Sequence, residues 1–506
     1  MIIGKGAAGP FTRAERVLIT VPVLIASILH SLALTTAYIA LPSMKGNLSA
    51  TPDQAGWIIT SFLVSNAIGV AATGWFSVRF GRKMVFLVAV GGFTLSSMLC
   101  ATATTLEQLV LYRILQGTLS APILPLSQAI MLDTYPREQH SFAMTTWSMA
   151  MILGPVLGPS FGAFLTEEFS WRAIFYINIP FGAVGLIGCI LTVPETERRP
   201  QHLDWLGFFS LAIAVGAFQL MLDRGERNDW FQSTETVLEG VLAMLALYVF
   251  VVHSATTRRP FLNFAVFRDH NFVIGVILIF LFGLNVFSAL LLMPLFLQDI
   301  QGYPVTAAGV VISARGLGTA LGMITAGRLA GRVEYRYIIA SALIIVSVPS
   351  ASMLSWTDEV PAANVVIVNI ATGYGIGLMW VSLTTATFTT LPTALRTEGA
   401  ALFALIRVIG ASIGVSMFVS VLARSTQINY GILIEHIHDF NQAFGLLQEG
   451  HAWNTDSLAG LARISRVVSH QAQTIAFLND FKLLVATTLL GIPLALLFRR
   501  ARPHKD

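Results

Sequence analysis

The chain has 506 residues, of which 55% are apolar and only 11% charged, with a formal net charge of +4. That balance excludes an ordinary water-soluble globule, and so small a charge excess fits membrane topology better than nucleic-acid binding. Apolar runs of membrane-spanning length recur from end to end, each a candidate transmembrane helix.

There are about fourteen such runs. In chain order they are Arg16–Pro42, Gly56–Phe76, Met84–Ala103, Gln108–Met131, Phe142–Leu165, Ala173–Val193 and Trp205–Leu222. Then come Val237–Val252, Phe272–Leu297, Ala308–Leu329, Tyr337–Trp356, Asn364–Thr390, Ala400–Ala423 and Phe481–Phe498. Lys5, Arg13 and Arg16 precede the first run as in a signal peptide, but the run is too long for one and lacks a good cleavage site, so a retained helix is expected. With both termini cytoplasmic, roughly twenty basic residues fall inside and about eight outside, which satisfies the positive-inside rule. Arg79, Arg82, Lys83, Arg328, Arg332 and Arg336 are among those inside. Cys100 and Cys189 fall within spans and read as small buried hydrophobes, so neither a disulfide nor a metal framework is implied.

The first span carries one titratable residue, His30, whose ordinary pKa suits a proton carrier, although a lone helical histidine also serves structure. After the second span comes Gly74–Lys83 (GWFSVRFGRK), and Ala326–Arg336 (AGRLAGRVEYR) follows the tenth as a weaker echo. Two such loops at matching positions suggest a duplicated chain. Its expected parts are an N-terminal six-helix half over 1–203, an inserted helix pair over 204–254, and a C-terminal six-helix half over 255–506. The fourth span holds Arg113, and Arg315 and Arg407 lie inside later spans. An intramembrane arginine must face a cavity or a hydrogen-bond partner, so each is either a binding or proton-control residue or a packing element. The fifth span has Gly154, Pro155, Gly158, Pro159 and Gly162, a small-residue stripe for close helix contact with two prolines that favour a bend.

Carboxylates are scarce in these spans. Asp133, Asp223, Glu239, Asp299 and Asp480 all fall at or near expected helix ends, leaving His30 as the best mid-span titratable group and Asp223 and Asp480 as weaker candidates. The connector at about 424–479 is the one long loop, expected outside the membrane. Within it Leu458, Leu461, Ile464 and Val468 share a helical face that could lie on the bilayer, dock a partner or cap the structure. No phosphate-binding loop, metal spacing or catalytic triad is present, so an enzyme is not expected and no cofactor is called for.

Several segments together resemble the major facilitator superfamily, and within it the fourteen-helix EmrB/QacA type of drug–proton antiporter, on the EmrB branch. They are Thr73–Lys83, Tyr112–Gly117, Pro125–Pro136, Gly154–Gly162, Trp171–Gly182, Asp223–Phe231, Ala314–Thr319 and Arg396–Gly414. The resemblance implies an all-α membrane protein with two six-helix halves and an inserted pair. It implies alternating access, proton antiport, an inner-membrane location, and a periplasmic adaptor with an outer-membrane channel as partners. By position, Arg113 and Gly117 match the helix-four motif associated with proton coupling, with Gln116 beside them. Gly154, Pro155, Gly158 and Pro159 match the antiporter motif, and Gly74, Gly81 and Arg82 the switching loop, where Val78 replaces the usual acid. In the first span, Ala33 stands where the family carries an acid and Tyr38 where it carries asparagine; in the thirteenth, Val408 takes the place of a frequent polar residue.

The expected substrate and proton pathway thus involves His30, Tyr38, Arg113, Gln116, Arg315 and Arg407. Three interior arginines without a central acid favour neutral or anionic amphiphiles over cations. A dedicated exporter of one metabolite, such as a siderophore or organic acid, and a transporter-like sensor that has lost coupling are the alternatives.

Overall fold

The computed structural model describes residues 11–136, 139–196, 198, 204–225, 228–257, 261–262, 264–330, 332–357, 359–392, 395–437 and 457–499. Within these, fourteen helices are long and apolar enough to cross a membrane. They are α1 (Arg13–Asn47), α2 (Pro52–Phe80), α3 (Arg82–Thr102), α4 (Leu106–Thr134), α5 (His140–Glu168), α6 (Ala173–Thr192) and α7 (Trp205–Gly225). The remainder are α8 (Thr234–Thr256), α9 (His270–Ile300), α10 (Val305–Leu329), α11 (Tyr335–Ser355), α12 (Ala362–Thr389), α13 (Arg396–Ile434) and α14 (Leu458–Leu496). No strand is present among the described residues.

Lipid supplies no hydrogen bonds, so each apolar segment satisfies its own backbone by coiling, and local caps set where it begins. Thr12 and Glu15 form a capping box at α1, and the Asp269 and Ser457 side chains accept from Phe272 N and Gly460 N at α9 and α14. α4 is interrupted at Ala121-Pro122, whereas α5 runs as uninterrupted α-helix through Gly154 and Pro159. Pro155 and Pro159 have no N–H to donate to the preceding turn, yet the helix is not interrupted at either.

The helices pack as two sets. Within the first, α1 lies on α5 and α6, α2 on α4, and α3 on α4 and α6. Within the second, α10 lies on α12, α9 on α13, and α11 and α13 on α14. Two seams join the sets, α2 against α13 and α5 against α10; α7 and α8 pair with each other, and α7 leans on α2 and α13.

An even number of spans brings the start of α1 and the end of α14 to one face. Polar contacts between the two sets lie in the opposite, far half. Lys45 Nζ meets Asp299 Oδ2 at 2.7 Å, Thr306 N donates to Glu167 Oε2 at 2.8 Å, and the Ser160 and Ser313 hydroxyls are 2.6 Å apart. A β-carbon at Gly309 would sit 2.5 Å from the Pro159 carbonyl oxygen, so α5 and α10 touch there backbone to backbone.

The expected long loop is in large part helix. α13 and α14 each have 39 residues, or about 58 Å at 1.5 Å per residue, nearly twice the hydrocarbon thickness. Their far-face ends pair, with Ile464 and Val468 buried against Tyr430, Leu433 and Ile437. The apolar face seen in the sequence is thus half covered by α13, while Leu458 and Leu461 stay exposed. Residues 438–456 of that connector lie outside the described residues.

A buried cationic centre between the helix sets

α4 and α2 come close because Gly117 has no side chain: a β-carbon there would lie 2.5 Å from the Phe62 carbonyl oxygen. One turn earlier that closeness delivers Arg113 into the interior, where its guanidinium lies 4.2 Å from the Phe62 ring centre. Arg113 Nε donates to the Ile58 carbonyl at 3.0 Å, and Nη1 donates to Gln116 Oε1 at 2.7 Å. Gln116 Nε2 in turn donates to Ser97 Oγ at 2.7 Å. The arginine is held by neutral acceptors, which leaves its positive charge uncompensated.

His30 packs on the same phenyl ring, 6.1 Å from Phe62 and 6.4 Å from Phe93 between ring centres. Its Nδ1 is buried with no hydrogen-bond partner among the described residues. Arg407 comes from the other helix set, lying 5.9 Å from the Phe287 ring and 5.7 Å from that of Trp380. Tyr38 completes the bridge: its ring is 6.5 Å from Phe287, and its hydroxyl is buried with no hydrogen-bond partner among the described residues. Among the described residues no carboxylate pairs with Arg113 or Arg407. The structure thus groups His30, Tyr38, Arg113, Gln116 and Arg407, while Arg315 lies apart, in a cavity walled by α9–α12 and α14. What such a centre can do chemically is attract negative charge, or keep out a second positive one.

The conformational motifs divide. Gly81 adopts φ +88, a backbone conformation that favours glycine, and joins α2 to α3. Beside it the Arg82 guanidinium pairs with Asp133, and Arg82 N donates to Thr196 Oγ1 at 2.7 Å, tying the loop to the ends of α4 and α6. Gly74 is different, since a β-carbon there would meet nothing within 4 Å. Gly74 therefore makes no close helix contact among the described residues. In α5, Gly154, Gly158 and Gly162 lie directly on Ser31, Thr35 and Thr36 of α1. Ser31 Oγ donates to the Met151 carbonyl at 3.0 Å and Thr35 Oγ1 to the Gly154 carbonyl at 2.9 Å. Pro159 is buried in the same helix, and the Pro155 side chain lies outside the described residues.

Two acids set aside as helix-end residues have fuller roles. Asp223 on α7 accepts from Thr60 Oγ1 of α2 and Gln219 Nε2, both at 2.7 Å, and from the Ser416 hydroxyl of α13. Ser412 Oγ donates to Gln219 Oε1 at 2.6 Å, so one polar cluster joins α2, α7 and α13. The i,i+4 pairs Gln219/Asp223 and Ser412/Ser416 were the signal available in the sequence. Asp480 is wholly buried in α14, with neither carboxylate oxygen hydrogen-bonded among the described residues. Outside the spans, Asp204 accepts from Gly207 N at 2.9 Å, the His253 ring at 2.7 Å and Phe261 N at 3.0 Å. Burial pushes its carboxyl up, but these donors outweigh burial and hold it below the ordinary range.

Comparison with known proteins agrees with this architecture. The multidrug export protein EmrB of Haemophilus influenzae is 32% identical over 435 residues, 85% of this chain and 85% of that protein. The fatty acid resistance protein FarB of Neisseria gonorrhoeae is 30% identical over 437 residues, covering 85% and 86%. In fold, the inward-facing, unoccupied crystal structure of a bacterial homologue of the human lysosomal transporter Spinster superposes with a TM-score of 0.65. That match covers 98% of this chain and all of the other, at 15% identity. Residues 23–415 match the Major Facilitator Superfamily. With fourteen spanning helices, two packed sets and a buried charged centre between them, the chain is a multi-pass membrane transporter belonging to the Major Facilitator Superfamily, and not an enzyme.

Proposed function

We propose that this chain is an inner-membrane exporter in which α1–α6 and α9–α14 rock against each other around the buried centre, with the termini cytoplasmic. The supporting observation is that Arg113 shares the Phe62 ring with His30 and Arg407 enters the interior from the other helix set beside Phe287, with no carboxylate pairing with either arginine among the described residues. Moving a cation into that field is unfavourable, whereas a neutral or anionic amphiphile gains from it, and the Phe62, Phe93, Phe287 and Trp380 rings offer its apolar part a surface. The name of the Neisseria relative, a fatty acid resistance protein, and that of EmrB, a multidrug export protein, agree with export of such compounds.

Proton antiport is part of the proposal, with His30 as carrier. A proton on His30 places a second positive charge beside the Phe62 ring on which Arg113 also lies. Antiport requires the two loads to take turns, with His30 neutral while cargo occupies the centre and protonated after the cargo has left. The far-face seams then correspond to the closed periplasmic gate, and the paired ends of α13 and α14 to the surface that meets a periplasmic adaptor and outer-membrane channel. Ala33, buried where the family resemblance implies an acid, favours a second reading as a facilitator or sensor without coupling.

The test is substrate-induced proton movement in proteoliposomes for the native protein, His30→Ala and Ala33→Asp, with a weakly acidic amphiphile and a lipophilic cation as compounds. Native exchange with the acid, lost in His30→Ala, supports antiport on the histidine. No native exchange, restored by Ala33→Asp, sinks antiport and leaves the uncoupled reading; faster exchange with the cation overturns the cargo preference.

A further inference from the structure

The inserted pair α7–α8 is additional to the two six-helix sets, yet α7 leans on both α2 and α13, the helices that form one of the two seams. Its hold on them converges on one carboxylate. Asp223 Oδ2 accepts from Thr60 Oγ1 of α2, while Oδ1 accepts from the Ser416 hydroxyl of α13 and from Gln219 Nε2. Trp57 Nε1 of α2 adds a bond to the Asp223 carbonyl at 3.0 Å. Gln219 is fully used, since its Nε2 also donates to Ser416 Oγ at 2.7 Å and its Oε1 accepts from Ser412 Oγ. One acid on an inserted helix is thus bonded directly to both sides of the seam. Thr60 is eight residues into α2 from Pro52, and Ser416 is nine residues beyond Arg407 on the outward run of α13, so both lie in the far half. Parting α2 from α13 there must break at least one of these bonds, because Asp223 cannot follow both helices.

The network is arranged around the ionised acid. Three side-chain hydrogens point at the carboxylate, and no cation among the described residues bonds to it. Of the charged groups on the elements packed against it, Arg224 is paired with Glu235 and Glu239 of α8, and Asp229 precedes the turn Trp230–Gln232. Asp204 and His253 sit at the opposite end of the pair. Arg407 and Arg424 of α13 are nine and eight residues from Ser416, and Arg79 of α2 is nineteen from Thr60; the Asp53 side chain lies outside the described residues. Oδ2 can nevertheless take a proton without leaving two donors face to face. Thr60 Oγ1 has a second acceptor in reach, the Gly56 carbonyl at 3.2 Å. A proton on Oδ2 makes the acid the donor to Thr60 Oγ1, whose own hydrogen turns to Gly56. The bonds that remain are neutral, and neutral bonds are about half as strong as charge-assisted ones.

We propose that Asp223 is a proton-binding site that governs the far gate. Ionised, it clasps α2 to α13 through α7; protonated at Oδ2, it loosens its hold on both. The step is one proton taken from water, with an O–H bond formed and no covalent bond of the protein broken. Asp223 is half-buried and two residues from the far end of α7, about 3 Å of rise, so the proton comes from the far side. The site is separate from His30 at the centre, and it gives the inserted pair a task. It rests on the reading of the far half as a gate that opens.

The test puts nitroxide labels on cysteines introduced at Ser49, in the exposed turn before α2, and at the exposed Ile428 of α13. Pulsed spin resonance reads their separation in the full chain in nanodiscs. Between about pH 8 and about pH 4 the native protein is expected to gain a second, longer distance. Asp223→Asn, which copies the protonated acid, is expected to show that distance at every pH, with the open fraction at about pH 8 raised about tenfold. Thr60→Val keeps the acid but removes its α2 donor, and is expected to raise the open fraction and shrink the response to pH. His30→Ala is expected to keep the response. In the native protein the infrared band of a protonated carboxyl should rise with the open fraction, and Thr60→Val should shift that band, which keeps the test decisive if Asp223→Asn does not fold. A pH response retained in folded Asp223→Asn, or lost in His30→Ala, overturns the site. A seam that opens with cargo equally in the native protein and Asp223→Asn overturns the clasp and leaves the gate standing. Labels that stay at one distance while cargo flux proceeds defeat the gate reading itself, and the clasp with it.

Discussion

Gly158→Ala puts a single methyl group into the tightest part of the α1–α5 seam. Its β-carbon would stand 1.9 Å from Thr35 Oγ1 and 2.7 Å from Thr35 Cβ. Ordinary contacts need about 3.5 Å, so the helices must part by roughly 1 Å or Thr35 must leave its rotamer. Overpacking of this kind costs about 1–3 kcal/mol. Either escape also stretches the 2.9 Å bond from Thr35 to the Gly154 carbonyl, adding about 1 kcal/mol. A total of about 2–4 kcal/mol should lower the melting temperature of the reconstituted protein and slow cargo counterflow in proteoliposomes. Removing the opposing side chain, in Gly158→Ala with Thr35→Gly, should restore most of both by giving back the space. If Gly158→Ala alone melts and transports like the parent, the seam is not close-packed in the working protein and this reasoning fails.

Gly74→Ala is the opposite case: with nothing within 4 Å and a helical backbone, it should be neutral or stabilising by up to about 1 kcal/mol in the same melting assay. Cysteines at Ser160 and Ser313, whose hydroxyls are 2.6 Å apart, should form a disulfide under mild oxidation that stops counterflow and is reversed by reductant. Efficient cross-linking with undiminished flux would show that the α5–α10 seam need not open. Asp204→Ala should cost about 1 kcal/mol at neutral pH through the lost cap of α7. Because the Asp204 carboxyl is held below its ordinary range, its contribution is complete above about pH 4 and fades as pH falls through the lower folded value. The melting difference between the two proteins should therefore shrink on acidification, and a difference that grows would reverse the assignment.

All fourteen spans were legible in the sequence, because lipid solvent makes length and apolarity a nearly sufficient rule. Their ends were less so at α13 and α14. Beyond the bilayer the apolar signal stops, yet the helices continue, held by pairing of Ile464 and Val468 with α13 that no local pattern announces. Arg113 and His30 stood out as polar residues in apolar runs. Their convergence on the Phe62 ring, and the arrival of Arg407 from the other helix set, depend on packing between segments far apart in the chain. Asp480 was set aside because the last span was taken to begin one residue later; its complete burial follows from the helix continuing outward inside protein. Gly74 and Gly158 look equally important as motif letters, and only the neighbouring helix distinguishes them.

The unbroken run of α13 has a mechanical consequence. Arg407, in the centre, and Ile434, at the outer tip, belong to one rod and lie 27 residues apart, about 40 Å at 1.5 Å per residue. A tilt of about 10° around the arginine swings the tip by roughly 7 Å over that length. Pairing with α14 stiffens the rod, so the swing reaches the outside with little loss to bending. A protein gripping the tip would feel each turn of the transport cycle as a stroke, and holding the tip still would brake the cycle at its centre.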